Sequence, residues 1–150
     1  MKKKFFNAKL YRNEAANEMI VDNGKITQIG TNLPNCDSIS EIITENDFNN
    51  IEVTNYSISS VSLNGDCLEL TISSSGCDPE LWEMEMFSTN AFYNIFPLQR
   101  AVKVKLINNQ VCLAVFQKTK SFNLTPFRIE GQNSVPLNIE GWNEQIIYEY

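Results

Sequence analysis

Apolar and polar side chains alternate with a period of two along most of this chain, and turn residues cut the alternation at intervals of about 8 to 12 residues. Such a period places successive side chains on opposite faces of an extended strand, so the pattern predicts antiparallel β-structure. The stretch "EMIVDNGKITQIG" is two short alternations joined at Asn23-Gly24, a pair suited to a two-residue hairpin turn. It predicts a hairpin over residues 18 to 30, with residues 4 to 12 as a third strand. "YSISSVSLNGDCLELTIS" repeats the device, with Asn64-Gly65-Asp66 as the turn between Tyr56, Ile58, Val61 and Leu63 on one side and Leu68, Leu70 and Ile72 on the other.

"LWEMEMF" sets Trp82, Met84 and Met86 on one strand face and Glu83 and Glu85 on the other. "AVKVKLINNQVCLAVFQKTKSF" predicts a further hairpin that turns at Asn108-Asn109 and returns through an apolar run ending near Phe122. "VPLNIEGWNEQIIYEY" supplies two closing strands around Gly141, for about ten strands in all. Only "STNAFYNIF", residues 88 to 96, has the composition of a helical turn, with Ser88 as its cap. The expected architecture is all-β, an antiparallel two-sheet sandwich over residues 51 to 150. A small β-hairpin extension over 1 to 34 precedes it, and the polar stretch 35 to 50 connects the two.

Composition agrees with one soluble domain. A chain of 150 residues with 43% hydrophobic and 20% charged side chains buries roughly 70% of its unfolded surface without a staple. Eighteen acidic against twelve basic residues give a net charge of −6, which disfavours nucleic acid, and no apolar run reaches the length of a membrane span. The lysines at the start are followed by Asn7, Lys9, Arg12, Asn13 and Glu14, which break the apolar core a secretion signal needs. A natural start at Met1 therefore implies the cytoplasm, and a removed leader implies the envelope or export. The expected state is a monomer or weak homo-oligomer.

The chain contains no histidine. Ser-His-Asp and Cys-His catalysis and imidazole metal sites are thereby excluded. What remains is a carboxylate pair: Glu83 and Glu85, two apart on one strand face, stand about 7 Å apart, the spacing of an inverting glycosidase. The competing reading is an ordinary solvated face. Asp66, Asp78 and Glu80 have the oxygen donors for a hard cation, but they also stand where turns use Asx chemistry. Phe87, Phe92, Tyr93, Phe96 and Trp142 supply either core or an aromatic platform for a sugar or peptide. No cofactor and no metal site is expected. Three functions follow: a non-catalytic module that binds a protein or glycan, with Asp78, Glu80, Glu83, Glu85 and Trp142 as candidate ligand contacts; a small glycan hydrolase using Glu83 or Glu85 with Asp78; and a structural subunit that pairs with copies of itself through an edge strand.

The segment "FFNAKLYRNEAANEMIVDNGKITQIGTNLP" resembles the small β-domain that opens amidohydrolase-superfamily enzymes. Those enzymes hold metal largely through histidines, so the resemblance implies a hairpin here and no activity. From about residue 54 onward the chain resembles uncharacterised β-sandwich domains of secreted or lipid-anchored Bacteroidetes proteins. The resemblance rests on "SSGC", "FPLQ", "VCLAV", "SFNLTPF" and "LNIEGWNEQIIYEY". It implies a sandwich and an envelope location. Where family members often show Ser-Gly-Gly-Cys followed by histidine, this chain has Ser75-Gly76-Cys77 followed by Asp78-Pro79. Cys77 and Cys112 fall inside these motifs and beside strand ends expected to face each other, so they are the candidate disulfide. Reduced, buried thiols are the alternative, and a Cys36–Cys67 bridge is possible without support from any motif.

Overall fold

The computed structural model describes the backbone of residues 2–6, 18–22 and 25–30, and all of residues 35–93 and 95–150. The first three segments are strands β1 (Lys2–Phe6), β2 (Glu18–Asp22) and β3 (Lys25–Gly30), which form an antiparallel sheet in the order β1-β2-β3. The predicted hairpin over 18 to 30 is present as β2 and β3, while its Asn23-Gly24 turn and residues 7 to 12 of the expected third strand lie outside the described residues.

The remaining strands make a two-sheet sandwich. One sheet has four strands in the order β4 (Ser38–Ile39), β10 (Val115–Asn123), β7 (Cys67–Ser75), β6 (Ser57–Asn64). The other has five, β12 (Ile146–Glu149), β11 (Ser134–Ile139), β9 (Arg100–Ile107), β8 (Glu83–Thr89), β5 (Glu41–Ile43). The alternation read from sequence decides which face is inside. Leu68, Leu70 and Ile72 of β7 and Phe122 of β10 are buried against Met84 and Met86 of β8, Val102 and Val104 of β9, and Val135, Leu137 and Tyr148 of β11 and β12. The β6–β7 hairpin turns at Gly65, whose φ of 59° is a conformation open to glycine at little steric cost.

Three details differ from the expected antiparallel sandwich. Both sheets are mixed: β4 runs parallel to β10, β5 parallel to β8, and β11 parallel to β9. The predicted hairpin through Asn108-Asn109 does not form, because β9 pairs with β8 and β11 whereas β10 pairs with β7 and β4. Residues 108–114 instead cross from one sheet to the other, and their apolar side chains face solvent, with Val111 91% and Leu113 90% exposed. The helical turn expected over 88 to 96 is also absent among the described residues. β8 runs on to Thr89, and the following loop contains a cis Phe96-Pro97 bond. Among the described residues the α-helix is α1 (Glu45–Asn49), where Thr44 accepts the Asp47 N–H at 3.1 Å and returns its hydroxyl to Asp47 Oδ2 at 2.7 Å.

The polar stretch 35 to 50 thus carries β4, β5 and α1. Ser40, between the two strands, is 1% exposed and donates both its N–H and its hydroxyl to the Asn123 carbonyl. Residues 38–43 therefore strap one open flank of the sandwich, adding first to β10 and then to β8. Beyond the strap, lysines of β10 close the same flank. Lys118 Nζ donates to the carbonyls of Pro79, Glu80 and Trp82, and Lys120 Nζ to that of Met84 at 2.8 Å. Inward-turned lysines on an exposed edge also discourage edge-to-edge pairing.

Candidate functional site

The segment from Ser73 to Phe87 concentrates the polar groups that the sequence singles out. Gly76 lies where a Cβ would come within 2.6 Å of Gln110 Oε1 and 2.9 Å of the Trp82 ring, so only glycine lets these groups converge. The Gln110 carboxamide is the hub. Its Oε1 accepts the Cys77 N–H at 2.7 Å, the Asp78 N–H at 2.9 Å and Trp82 Nε1 at 3.0 Å, and its Nε2 donates to the Asp78 carbonyl at 2.9 Å. A disulfide joins Cys77 to Cys112, and a second joins Cys36 to Cys67, with Cα atoms 5.0 and 5.5 Å apart respectively. Both separations lie within ordinary disulfide geometry.

The candidate acids are divided by this arrangement. Asp78 caps the 3-10 turn Pro79–Leu81 by accepting the Glu80 N–H at 2.9 Å, and both Asp78 and Glu80 are exposed. Glu83 is exposed on the outer face of β8, and Glu85 beside it is half-buried opposite Lys105 of β9. Asp66 instead joins the C-terminal strand: it accepts the Tyr148 hydroxyl and pairs with Arg128 at 2.8 Å. Burial, reinforced by that hydrogen bond, pushes the Tyr148 phenol well above its ordinary value. Trp142 lies in the β11–β12 turn, half-buried against the core, and β9 stands between β11 and the strand β8 that carries Glu83 and Glu85. Among the described residues, no group of three or more acidic or cysteine side chains is placed to hold a metal.

The aromatic side chains do not form one platform. Phe92 is half-buried beneath the Arg100 guanidinium at 4.8 Å, Phe96 is 93% exposed, and Phe87 is half-buried on the outer face of β8. Arg100 itself is buried, and its Nε and Nη1 donate to the Phe127 and Thr89 carbonyls, while burial draws its pKa below the usual value.

Phe87 takes part in a feature that the sequence reading missed. An open groove of about 580 Å³ lies between the chain leaving α1 and strands β8 and β9. Its apolar residues, Ile43, Ile51, Phe87 and Leu106, are all half-buried. Its polar residues, Asp47, Asn50, Glu52, Asn55 and Lys105, are all exposed. The groove therefore has an apolar floor and a polar rim, the division expected where a ligand is held by contact area and oriented by a few polar groups. Its wall is fixed by Lys103, whose Nζ donates to the Phe48 and Ile51 carbonyls at 3.1 Å, and by the Tyr56 hydroxyl, which donates to the Val104 carbonyl. Burial raises the Tyr56 pKa well above the ordinary phenol range, with the Glu140 carboxylate adding to the effect. A second, more open depression of about 500 Å³ adjoins the groove and shares Ile43 with it. One local signal pointed here: Thr44-x-x-Asp47 before Phe48 is a helix-start pattern.

No protein-family model matches this chain, and no curated protein matches it. Two solved structures match this chain. One is a protein of unknown function, DUF1344, from Bacteroides vulgatus, with a TM-score of 0.51 and 13% identity over 75% of this chain and 56% of that one. The other is a protein described as toxin-related from Parabacteroides distasonis, with a TM-score of 0.49 and 11% identity over 90% of this chain and 70% of that one. At such identities the first likeness is one of fold, and this chain spans just over half of that protein's length.

Proposed function

We propose that this chain is a non-catalytic binding module of an oxidising compartment, the cell envelope or beyond, and that its ligand seat is the groove over Phe87. The observation that carries the reading is the separation of half-buried apolar floor from exposed polar rim. The pairing of all four cysteines supports the compartment, since reducing cytosol does not maintain such bridges. A hydrolase built on Glu83 or Glu85 with Asp78 is less well supported. Asp78 is engaged in capping a turn, and Glu83 is exposed rather than held in a cleft that would tune it for acid chemistry. Amide chemical-shift mapping with a fragment library tests the proposal. Hits should cluster at residues 43–55, 87 and 105–106, and clustering around Cys77 or the 108–114 loop would overturn it.

A second reading, self-association, is favoured by the aliphatic residues of the crossing loop and the start of β10, Val111, Leu113 and Val115, which are 91%, 90% and 70% exposed. Sedimentation across a range of concentrations separates the two, because a module that acts alone keeps one sedimentation coefficient throughout.

A further inference from the structure

We infer that the groove over Phe87 takes a neutral oligosaccharide, an assignment that rests on the binding reading above and adds the chemical class of the ligand. The argument starts from what the rim can exchange. Asn50 presents a carboxamide with both donors and an acceptor, Asn55 presents its amide donors while its Oδ1 accepts the Thr54 hydroxyl at 3.2 Å, Glu52 presents acceptors only, and Lys105 donors only. A sugar hydroxyl is donor and acceptor at once, so neighbouring hydroxyls on a ring are satisfied by mixed amides and charges. An apolar ligand would displace water from these groups and return no hydrogen bonds.

Charge narrows the class further. The lining holds two carboxylates and one ammonium, and one carboxylate, Asp47, already accepts the Thr44 hydroxyl. The carboxylates still outnumber the ammonium, so the rim disfavours an anionic ligand, and the lysine-rich peptide below tests the cationic alternative to a neutral one. The floor is consistent with the same ligand. A half-buried phenyl ring offers a flat apolar surface to the C–H face of a pyranose, and Ile51 and Leu106 extend that surface. Both depressions are open to solvent and share Ile43, a layout that suits a chain of partly hydrated sugar rings better than one enclosed small molecule.

The test is amide chemical-shift titration of the disulfide-bonded protein with neutral tetrasaccharides of glucose, mannose, xylose and N-acetylglucosamine, and separately with a lysine-rich amphipathic peptide. At least one tetrasaccharide should shift residues 50–55, 87 and 105–106. Asn50→Ala and Glu52→Gln, both at exposed rim positions, should weaken that binding about tenfold or more, a change of about 1.4 kcal/mol, while the spectra stay those of a folded protein. Shifts in the groove from the peptide alone would overturn the saccharide assignment and leave the binding reading standing. Silence of the groove toward every probe would overturn both. Binding that neither variant weakens would also overturn the assignment, because the rim would then not be the recognition element.

Discussion

The corner around Gly76 meets the first residues of β8, the groove over Phe87 runs along the β8–β9 pair, and the two treat their polar groups in opposite ways. At the corner, Gln110, Asp78 and Lys118 direct their side chains onto backbone groups and Trp82, within a segment tied down by the Cys77–Cys112 bridge. At the groove, Asn50, Glu52 and Lys105 stand exposed around an apolar floor. The acid-rich segment that looks most chemical in the sequence is therefore the more structural of the two. The polar stretch that looks like a connection supplies Ile43, Asp47 and Asn50 to the seat.

Ways to break this contrast begin in the core. Met84 is completely buried beneath the corner, and Met84→Ala should cost about 2 to 5 kcal/mol in a denaturant melt through lost burial and a residual cavity. Gly76→Ala should cost about 1 to 3 kcal/mol, because the added methyl must displace Gln110 or the Trp82 ring. The tyrosines give a pH signature. With the Tyr148 phenol raised in the folded state, the unfolded chain releases its proton first, near pH 10. Stability is then complete below about pH 10 and falls as pH rises beyond it, by at most about 1.4 kcal/mol per pH unit for this group. Urea melts at pH 8 and pH 10.5 should show a smaller decline for Tyr148→Phe than for the parent. The smallest effect belongs to the outer face of β8: Glu83→Gln and Glu85→Gln should each change stability by less than about 0.5 kcal/mol. A gain above about 1 kcal/mol in either would restore the active-site reading of that strand, since strained functional acids often gain stability when neutralised.

The sequence made the sandwich legible wherever a strand buries one face and its neighbour in the chain is its neighbour in the sheet. The β6–β7 hairpin, with Asn64-Gly65-Asp66 at its turn, and the alternation of β8 and β9 are of this kind. It failed where pairing is remote. β4 and β5 are two and three residues long and pair in parallel with partners dozens of positions away, so they leave no periodicity to read. The run Val111 to Val115 reads as part of a returning hairpin strand because hydrophobicity alone does not reveal that β9 and β10 on either side of it belong to different sheets. The groove was illegible for the same reason, since residues 43–55 and 87–106 meet only through the fold. Lys118 and Lys120 gave no signal either, because the backbone carbonyls they cap leave no mark in the sequence.

The division between corner and groove is tested most directly by one urea series comparing Gln110→Ala with Asn50→Ala. Removing the Gln110 carboxamide leaves three N–H donors without their acceptor, so that variant should lose about 2 to 4 kcal/mol, whereas Asn50→Ala should stay within about 0.5 kcal/mol of the parent. Equal losses in the two variants, or a larger loss at Asn50, would contradict the account.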